Sequence, residues 1–311
     1  MRRRWCKLFT AVALLGVLAG APCFAAGETS ANQPDVSAAG DAPPAKPGVT
    51  GRAIEAARSA ASRAGDILTR IPCLPPKGAG AVSASLPRVA RKLNAGEPIT
   101  IVALGSSSTA GYGTTSSTYT YPSRLAEQLR RKYPRARISV INRGMGGQEV
   151  PQMVQRLQSS VLDSNPDLVI WQLGTNTVVR GEDSSGIAAM VEAGVARIRA
   201  AGADVVLIDP QYVPAVTAKK EGANKMVKLI GEVAKLRHAS VFPRFEVMRQ
   251  WHEDEKLPFE SFSISDGLHM NDWGYACFAQ LLGDTIIKSV GEARAAPDTE
   301  KPGSVMSLRP M

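Results

Sequence analysis

An α/β fold, with a central parallel sheet covered by helices on both faces, is what the chain predicts from Pro98 onward. Three observations predict it. Short runs such as 99–104, 168–173 and 205–208 are almost continuously apolar, where a sheet with one wet face would alternate. Longer amphipathic segments separate these runs, which is the strand–helix rhythm of a parallel sheet. Polar, glycine-rich stretches follow the runs directly. In such sheets ligands bind beyond the carboxyl ends of the strands, so chemistry is expected there.

Taken in order, the first strand is 99–104, closed by Gly105. Residues 121–132 read as a helix, with Pro122 suited to its first turn. A second strand is expected at 138–141, and an amphipathic helix over 148–162. The third strand, 168–173, is apolar on both faces apart from Gln172. A helix over 187–200, a fourth strand at 205–208, a helix over 219–236 and a short fifth strand at 239–242 follow. A closing helix occupies 272–290. The expected architecture is a three-layer α/β/α sandwich around a central parallel sheet of about five strands. No internal repeat is present.

The 311 residues divide by composition. Residues 1–25 have the form of a secretory signal peptide: Arg2, Arg3, Arg4 and Lys7, then an apolar run, then small residues before a cleavage point near Ala25. The run is too short for a comfortable permanent span. An exported protein, periplasmic or extracellular, is therefore expected, with no stable membrane span after cleavage. Cleavage lowers the net charge from +9 to about +5, too mild to indicate nucleic acid. Aromatic residues make up 5% of the chain, which also argues against a stacking platform for single strands. Residues 26–51 resemble a flexible linker. Residues 52–97 form an expected helical extension, in which Ile54, Ala57, Ala61, Ala64, Leu68 and Ile71 draw one Ala-rich stripe. The sheet domain is expected over 98–291, and a disordered tail over 292–311. Oligomeric state cannot be read from these residues. Of four cysteines, Cys6 and Cys23 leave with the signal. Cys73 and Cys277 remain as either a disulfide in an exported protein or two independent buried thiols.

Four segments carry candidate chemistry. After the first strand comes Gly105-Ser106-Ser107-Ser108-Thr109-Ala110-Gly111. A serine needs a sharp turn for exposure and a nearby base for activation, and the flanking glycines permit the turn. The segment lacks the Gly-Lys-Ser/Thr ending of a phosphate-binding loop. After the second strand, Gly144, Gly146 and Gly147 can bring a backbone N–H close to a substrate oxygen. After the third, Gly174-Thr175-Asn176 offers a side-chain amide to the same oxygen. Ahead of the closing helix stands Asp266-Gly267-Leu268-His269. Its spacing of three lets a carboxylate hold an imidazole in one tautomer. His238 and His252, the other histidines, are expected at the surface. Metal ligation is disfavoured, since no second His or Cys cluster accompanies His269.

Each segment alone is compatible with an ordinary turn, but together, in this order, they resemble the SGNH (GDSL-like) hydrolase and esterase family over roughly residues 98–290. The resemblance implies a flavodoxin-like SGNH hydrolase fold. It implies a catalytic triad of Ser107 as nucleophile, His269 as general base and Asp266 behind it. It further implies an oxyanion hole of Ser107, Gly147 and Asn176, with no metal and no cofactor. Two departures are visible: Ser106 and Thr177 stand where the family often has Asp. The reaction implied is ester hydrolysis through an acyl-enzyme. Export and polar loops favour small O-acyl groups, acetyl above all, on cell-wall or extracellular polysaccharide. A lipid-directed esterase, lysophospholipase or thioesterase, and a catalytically degenerate glycan-binding module, are the alternatives. Tyr112 and Tyr119, in the hydroxyl-rich loop after the nucleophile, and Gln211 and Tyr212, after the fourth strand, are candidate substrate-binding residues.

Overall fold

Strands β1 (Ile99–Gly105), β2 (Ile138–Gly144), β3 (Leu168–Gln172), β4 (Asp204–Ile208) and β5 (Ser240–Phe242) form one sheet in the order β2-β1-β3-β4-β5. Every neighbouring pair is parallel. The structure is a computed structural model and describes Cys73 and residues 86–295. The expected signal peptide, linker, 52–71 helix and most of the tail lie outside these residues.

Strands β3 and β4 are buried at every position. That explains their nearly continuous apolar character, because helices cover both faces. One layer contains α1 (Pro87–Ala95), α3 (Tyr121–Lys132) and α11 (Asp272–Ala295), which pack on one another. The opposite layer contains α4 (Val150–Gln155), α7 (Ile187–Ala200) and α9 (Lys220–Leu236). On that side Trp171 of β3 is fully buried, and Gly194 lets α7 lie directly over its ring. A Cβ on Gly194 would stand 2.6 Å from the indole, so even alanine would overpack this contact.

Helix α1 lies within the expected 52–97 helical extension, but past the 54–71 stripe on which the helix was placed. Leu86, Val89, Ala90 and Leu93 are buried in the same core as the sheet, so the sheet domain begins ahead of residue 98. Two acids at the amino ends of strands hold the helix. Asp204 accepts the Val89 N–H at 2.9 Å, acting as a remote cap for an otherwise unsatisfied first turn. Asp167 pairs with Arg88 at 2.6 Å and Lys92 at 3.0 Å, and accepts the Thr100 N–H. Burial alone would raise the Asp167 carboxyl. The Thr100 N–H, Lys92 and Arg88 outweigh burial and hold its pKa below the ordinary value. A carboxyl depressed in the folded state contributes stability above its unfolded pKa of about 3.9, lost as pH falls through the folded value. Asp167→Asn is therefore expected to cost roughly 1–3 kcal/mol at neutral pH. Urea unfolding should show that difference shrinking steadily below pH 4. A constant difference down to pH 2 would contradict the ion-pair account.

The single helix expected over 148–162 is broken. Helix α4 ends at Arg156, which has φ −95° and ψ 7°, and α5 (Leu157–Ser160) and a 3-10 turn follow. The Arg156 guanidinium turns back to the carbonyls of Gly105 and Arg143, so a tertiary contact overrides the helical period. Helix α10 (Arg244–Glu253) was also unanticipated. Cys73 and Cys277 form a disulfide across 204 residues of sequence, which resolves the two alternatives left open. Among the described residues, no helix is long and apolar enough to cross a membrane.

Candidate active site

The chain passes from β1 to β2 on one side of it and then crosses back to β3 on the other. Between β1 and β3 the strand order reverses, and the loops diverge to leave a crevice at the carboxyl ends. Ser107 follows β1, Gly147 follows β2 and Asn176 follows β3, so these candidates arrive around this switch point.

Ser107 opens a single helical turn, α2 (Ser107–Ala110). The turn is fixed from beneath by Gln172, the one polar side chain of β3. Its Oε1 accepts from Ser106 N and Ser106 Oγ at 3.0 Å and from Thr109 Oγ1 at 3.3 Å. Gly105 must be glycine here, since a Cβ would stand 2.1 Å from Thr109 Oγ1 and 2.8 Å from Gln172 Oε1. Ser106, where the family often has Asp, thus anchors the turn through Gln172.

The Asp266–His269 segment reaches the same place from the far end of the chain. His269 Nε2 lies 2.8 Å from Ser107 Oγ, and His269 Nδ1 lies 2.6 Å from Asp266 Oδ2. Asp266 Oδ1 also accepts the backbone N–H groups of Leu268 and His269 at 2.9 Å. Burial pushes the Asp266 carboxyl upward, but the His269 ring and these N–H groups outweigh it and leave the pKa lowered. With Nδ1 donating to the carboxylate, Nε2 is free to accept the serine proton. The arrangement can deprotonate a hydroxyl and stabilise the resulting imidazolium.

On the opposite side, helix α6 (Thr175–Arg180) binds the loop after β2. Asn176 Nδ2 donates to Gln148 O at 2.8 Å and Arg180 donates to Gly147 O at 2.9 Å. Glu149 receives Thr177 Oγ1 at 3.0 Å and pairs with Arg180. Gly147 has φ +74°, a left-handed conformation suited to glycine. Neither the Ser107 nor the Gly147 N–H has a hydrogen-bond partner among the described residues. Asn176 keeps a second amide hydrogen beyond the one given to Gln148. The loops after β1, β2 and β3 thus each keep one N–H donor unused.

The four candidate substrate residues separate. Tyr112 is 60% exposed, and its ring centroid lies 4.4 Å from that of His269, placing an aromatic face at the rim of the site. Tyr119 is stacked under the Arg124 guanidinium, 4.5 Å away. Tyr212 donates to Glu253 at 2.6 Å and packs edge-on against Phe245. Gln211 corrects the expectation. It is fully buried, and both ends of its amide are occupied, by Thr175 and by the Leu268 carbonyl, so it supports the site from below. His252 likewise differs from expectation, its ring stacked on Phe259 at 3.9 Å. Gln172, Glu149 and Arg180 were not singled out in the sequence. The lone polar residue in an apolar strand was the available signal for Gln172. Among the described residues, no group of three or more His, Cys, Asp or Glu could hold a metal ion.

The fold is shared with known structures. A two-domain esterase active on acetylated mannans, crystallised with mannopentaose, superposes with a TM-score of 0.55 at 20% identity, over 72% of this chain and 58% of that one. The present chain therefore spans just over half of that protein. The crystal structure of TesA matches with a TM-score of 0.53 at 19% identity, over 61% of this chain and 99% of that one. An acetylxylan esterase from Geobacillus stearothermophilus matches with a TM-score of 0.53 at 17% identity, over 60% of this chain and 94% of that one. No curated protein matches the chain by sequence. Residues 72–292, from just before the disulfide cysteine to the closing helix, match the Non-GDSL lipase-like family, and the chain belongs to that family.

Proposed function

We propose that the protein is an exported serine esterase that removes small O-acyl groups, acetyl above all, from polysaccharide. The single observation that carries the reading is the continuous hydrogen-bonded line from Ser107 through His269 to Asp266, with distances of 2.8 and 2.6 Å. In the proposed mechanism His269 accepts the Ser107 proton as Oγ attacks the ester carbonyl. The N–H groups of Ser107 and Gly147 and the Asn176 amide receive the oxyanion. His269 then protonates the leaving alcohol, and the freed imidazole activates water to release the acid.

Other features support the finer parts. The disulfide accords with an oxidising compartment and so with export. The exposed Tyr112 ring beside His269 suits a sugar face, which stacks on aromatic rings. The mannan and xylan esterases that share the fold act on acetylated glycans. An acyl pocket for a long chain would need a large apolar lining at the site. Near the site, Tyr112 and Met145 are the large apolar side chains exposed among the described residues.

The test is labelling of the purified protein with a fluorophosphonate, followed by peptide mapping, together with hydrolysis of p-nitrophenyl esters of increasing chain length and of acetylated xylan and mannan. Modification at Ser107 with acetate preferred is expected. Preference for long-chain esters would favour a lipid substrate instead, and glycan binding without labelling or turnover would make the protein a binding module. Asn176→Ala is expected to lower kcat on p-nitrophenyl acetate about 100- to 1,000-fold, the usual effect of losing one oxyanion donor. A loss under threefold would remove Asn176 from that role.

A further inference from the structure

Asn176, in the first turn of α6, and His269, on the loop ahead of α11, are 93 residues apart in sequence, yet their spacing must hold to within about 0.5 Å for an efficient site. A buried chain of hydrogen bonds runs beneath both. Arg244 Nη2 donates to Thr175 Oγ1 at 3.4 Å, Thr175 Oγ1 donates to Gln211 Oε1 at 3.1 Å, and Gln211 Nε2 donates to Leu268 O at 2.9 Å. Thr175 directly precedes Asn176, and Leu268 directly precedes His269. We infer that Gln211 is a positioning residue that sets the distance between the oxyanion donor Asn176 and the base His269, with Arg244 as the anchor of its chain. The inference rests on the esterase reading above.

The placement of the anchor supports this. Arg244 is fully buried, donates through Nε to Asp209 O at 3.1 Å, and lies over the Phe278 ring at 5.6 Å. Its Nη1 is buried with no acceptor. An apolar side chain would fill this space at lower cost, since a buried cation with an unmet donor is expensive. The charge polarises the bonds that follow it, so each is stronger than a neutral pair. Beside it, burial raises the Asp209 carboxyl to about 7, against the opposing Phe245 N–H and Arg244 charge. Tyr121 and Tyr275, which also feel the Arg244 charge, reach the nucleophile segment: Tyr121 bonds to Thr109 at 3.2 Å and Tyr275 donates to the Tyr112 carbonyl at 2.8 Å. Arg244 thus anchors the chain that joins the Asn176 and His269 arms of the site.

The experiment compares Gln211→Leu, Gln211→Glu, Thr175→Val and the double variant Thr175→Val/Gln211→Leu with the parent chain. Thermal unfolding is measured for each, and kinetics are taken where the chain is fully folded. Gln211→Leu is expected to lower kcat on p-nitrophenyl acetate about 10- to 100-fold with KM within about twofold, the signature of misplaced reacting groups. Gln211→Glu keeps the acceptor for Thr175 and loses the donor to Leu268, so a similar loss is expected. The double variant should be no slower than Gln211→Leu alone, because both break one chain. The far-downfield proton NMR signal of the His269 Nδ1–H should shift or broaden in the same variants. Full kcat and an unchanged proton signal in folded variants would overturn the inference. Should Gln211→Leu fail to fold, Thr175→Val, which removes only the hydroxyl, decides by the same readouts. A parent chain that neither labels at Ser107 nor hydrolyses esters would refute the esterase reading, and the proton signal would still judge Gln211.

Discussion

Replacing Ser107 by alanine is expected to lower ester turnover by at least about 10,000-fold, leaving at most the modest residual rate that binding and an oxyanion site supply without a nucleophile. The change removes one hydroxyl whose hydrogen-bond partner is His269. The turn itself hangs on Ser106, Thr109 and Gln172, so the fold should survive and the unfolding midpoint should move little. Because the three residues act as a unit, Ser107→Ala/His269→Ala should be no slower than Ser107→Ala alone. Asp266→Asn should cost nearly as much. An amide at that position would favour the wrong imidazole tautomer, and in other triads this costs about 10,000-fold. The measurement is kcat on p-nitrophenyl acetate under single-turnover and steady-state conditions. Turnover within tenfold of the parent in folded Ser107→Ala would place the nucleophile elsewhere.

Removing the disulfide should have the largest effect on stability. The bond closes a loop of 204 residues, and restricting so long a loop in the unfolded chain is worth about 5 kcal/mol in the chain-entropy relation, against about 2–4 kcal/mol typically found. Cys73→Ala/Cys277→Ala is therefore expected to lower the unfolding midpoint by roughly 5–15 °C, at about 2–4 °C per kcal/mol for a domain of this size. Cys277 is fully buried on α11, in the layer that also holds α1 and α3. None of the triad's hydrogen bonds involves Cys277, so kcat at 25 °C should stay within about twofold, as for a site held by other bonds. Reduction of the parent chain by dithiothreitol should reproduce the shift. A midpoint that does not move in either experiment would mean that the bridge constrains nothing.

Much of the fold was legible because local pattern and tertiary role agree. Strands β3 and β4 are buried on both faces, so their sequences are apolar apart from Gln172 at the end of β3 and Asp204 at the start of β4. Helix α3 covers the expected residues, Tyr121–Lys132, with Pro122 in its first turn. Helix α10 was missed, and α1 was not located within the expected extension, although Leu86, Val89, Ala90 and Leu93, and Arg244, Val247, Met248 and Trp251, stand at helical spacing. The first set is short and set among cations. The second contains an arginine on its buried face, which disguises the apolar stripe. The break at Arg156 has no local cause at all, since it is made by carbonyls at Gly105 and Arg143.

The same division runs through the candidate site. Asp266 and His269 are three residues apart at a helix entrance, and Ser107 lies in a glycine-flanked turn after a strand, so residue type and spacing alone nominate them. Short-range spacing also governs Gly147, whose left-handed backbone is a local property. What the sequence by itself determined was therefore the α/β class, the strand positions and the residues able to do acyl chemistry, because each depends on a period or spacing of a few residues. Only the tertiary structure decided the strand order, the joining of Cys73 to Cys277, and the burial of Gln211. It also decided the parts played by Gln172, Arg180 and Arg244. Those depend on partners between 31 and 69 residues away, and no period within a segment records which distant group a side chain will meet.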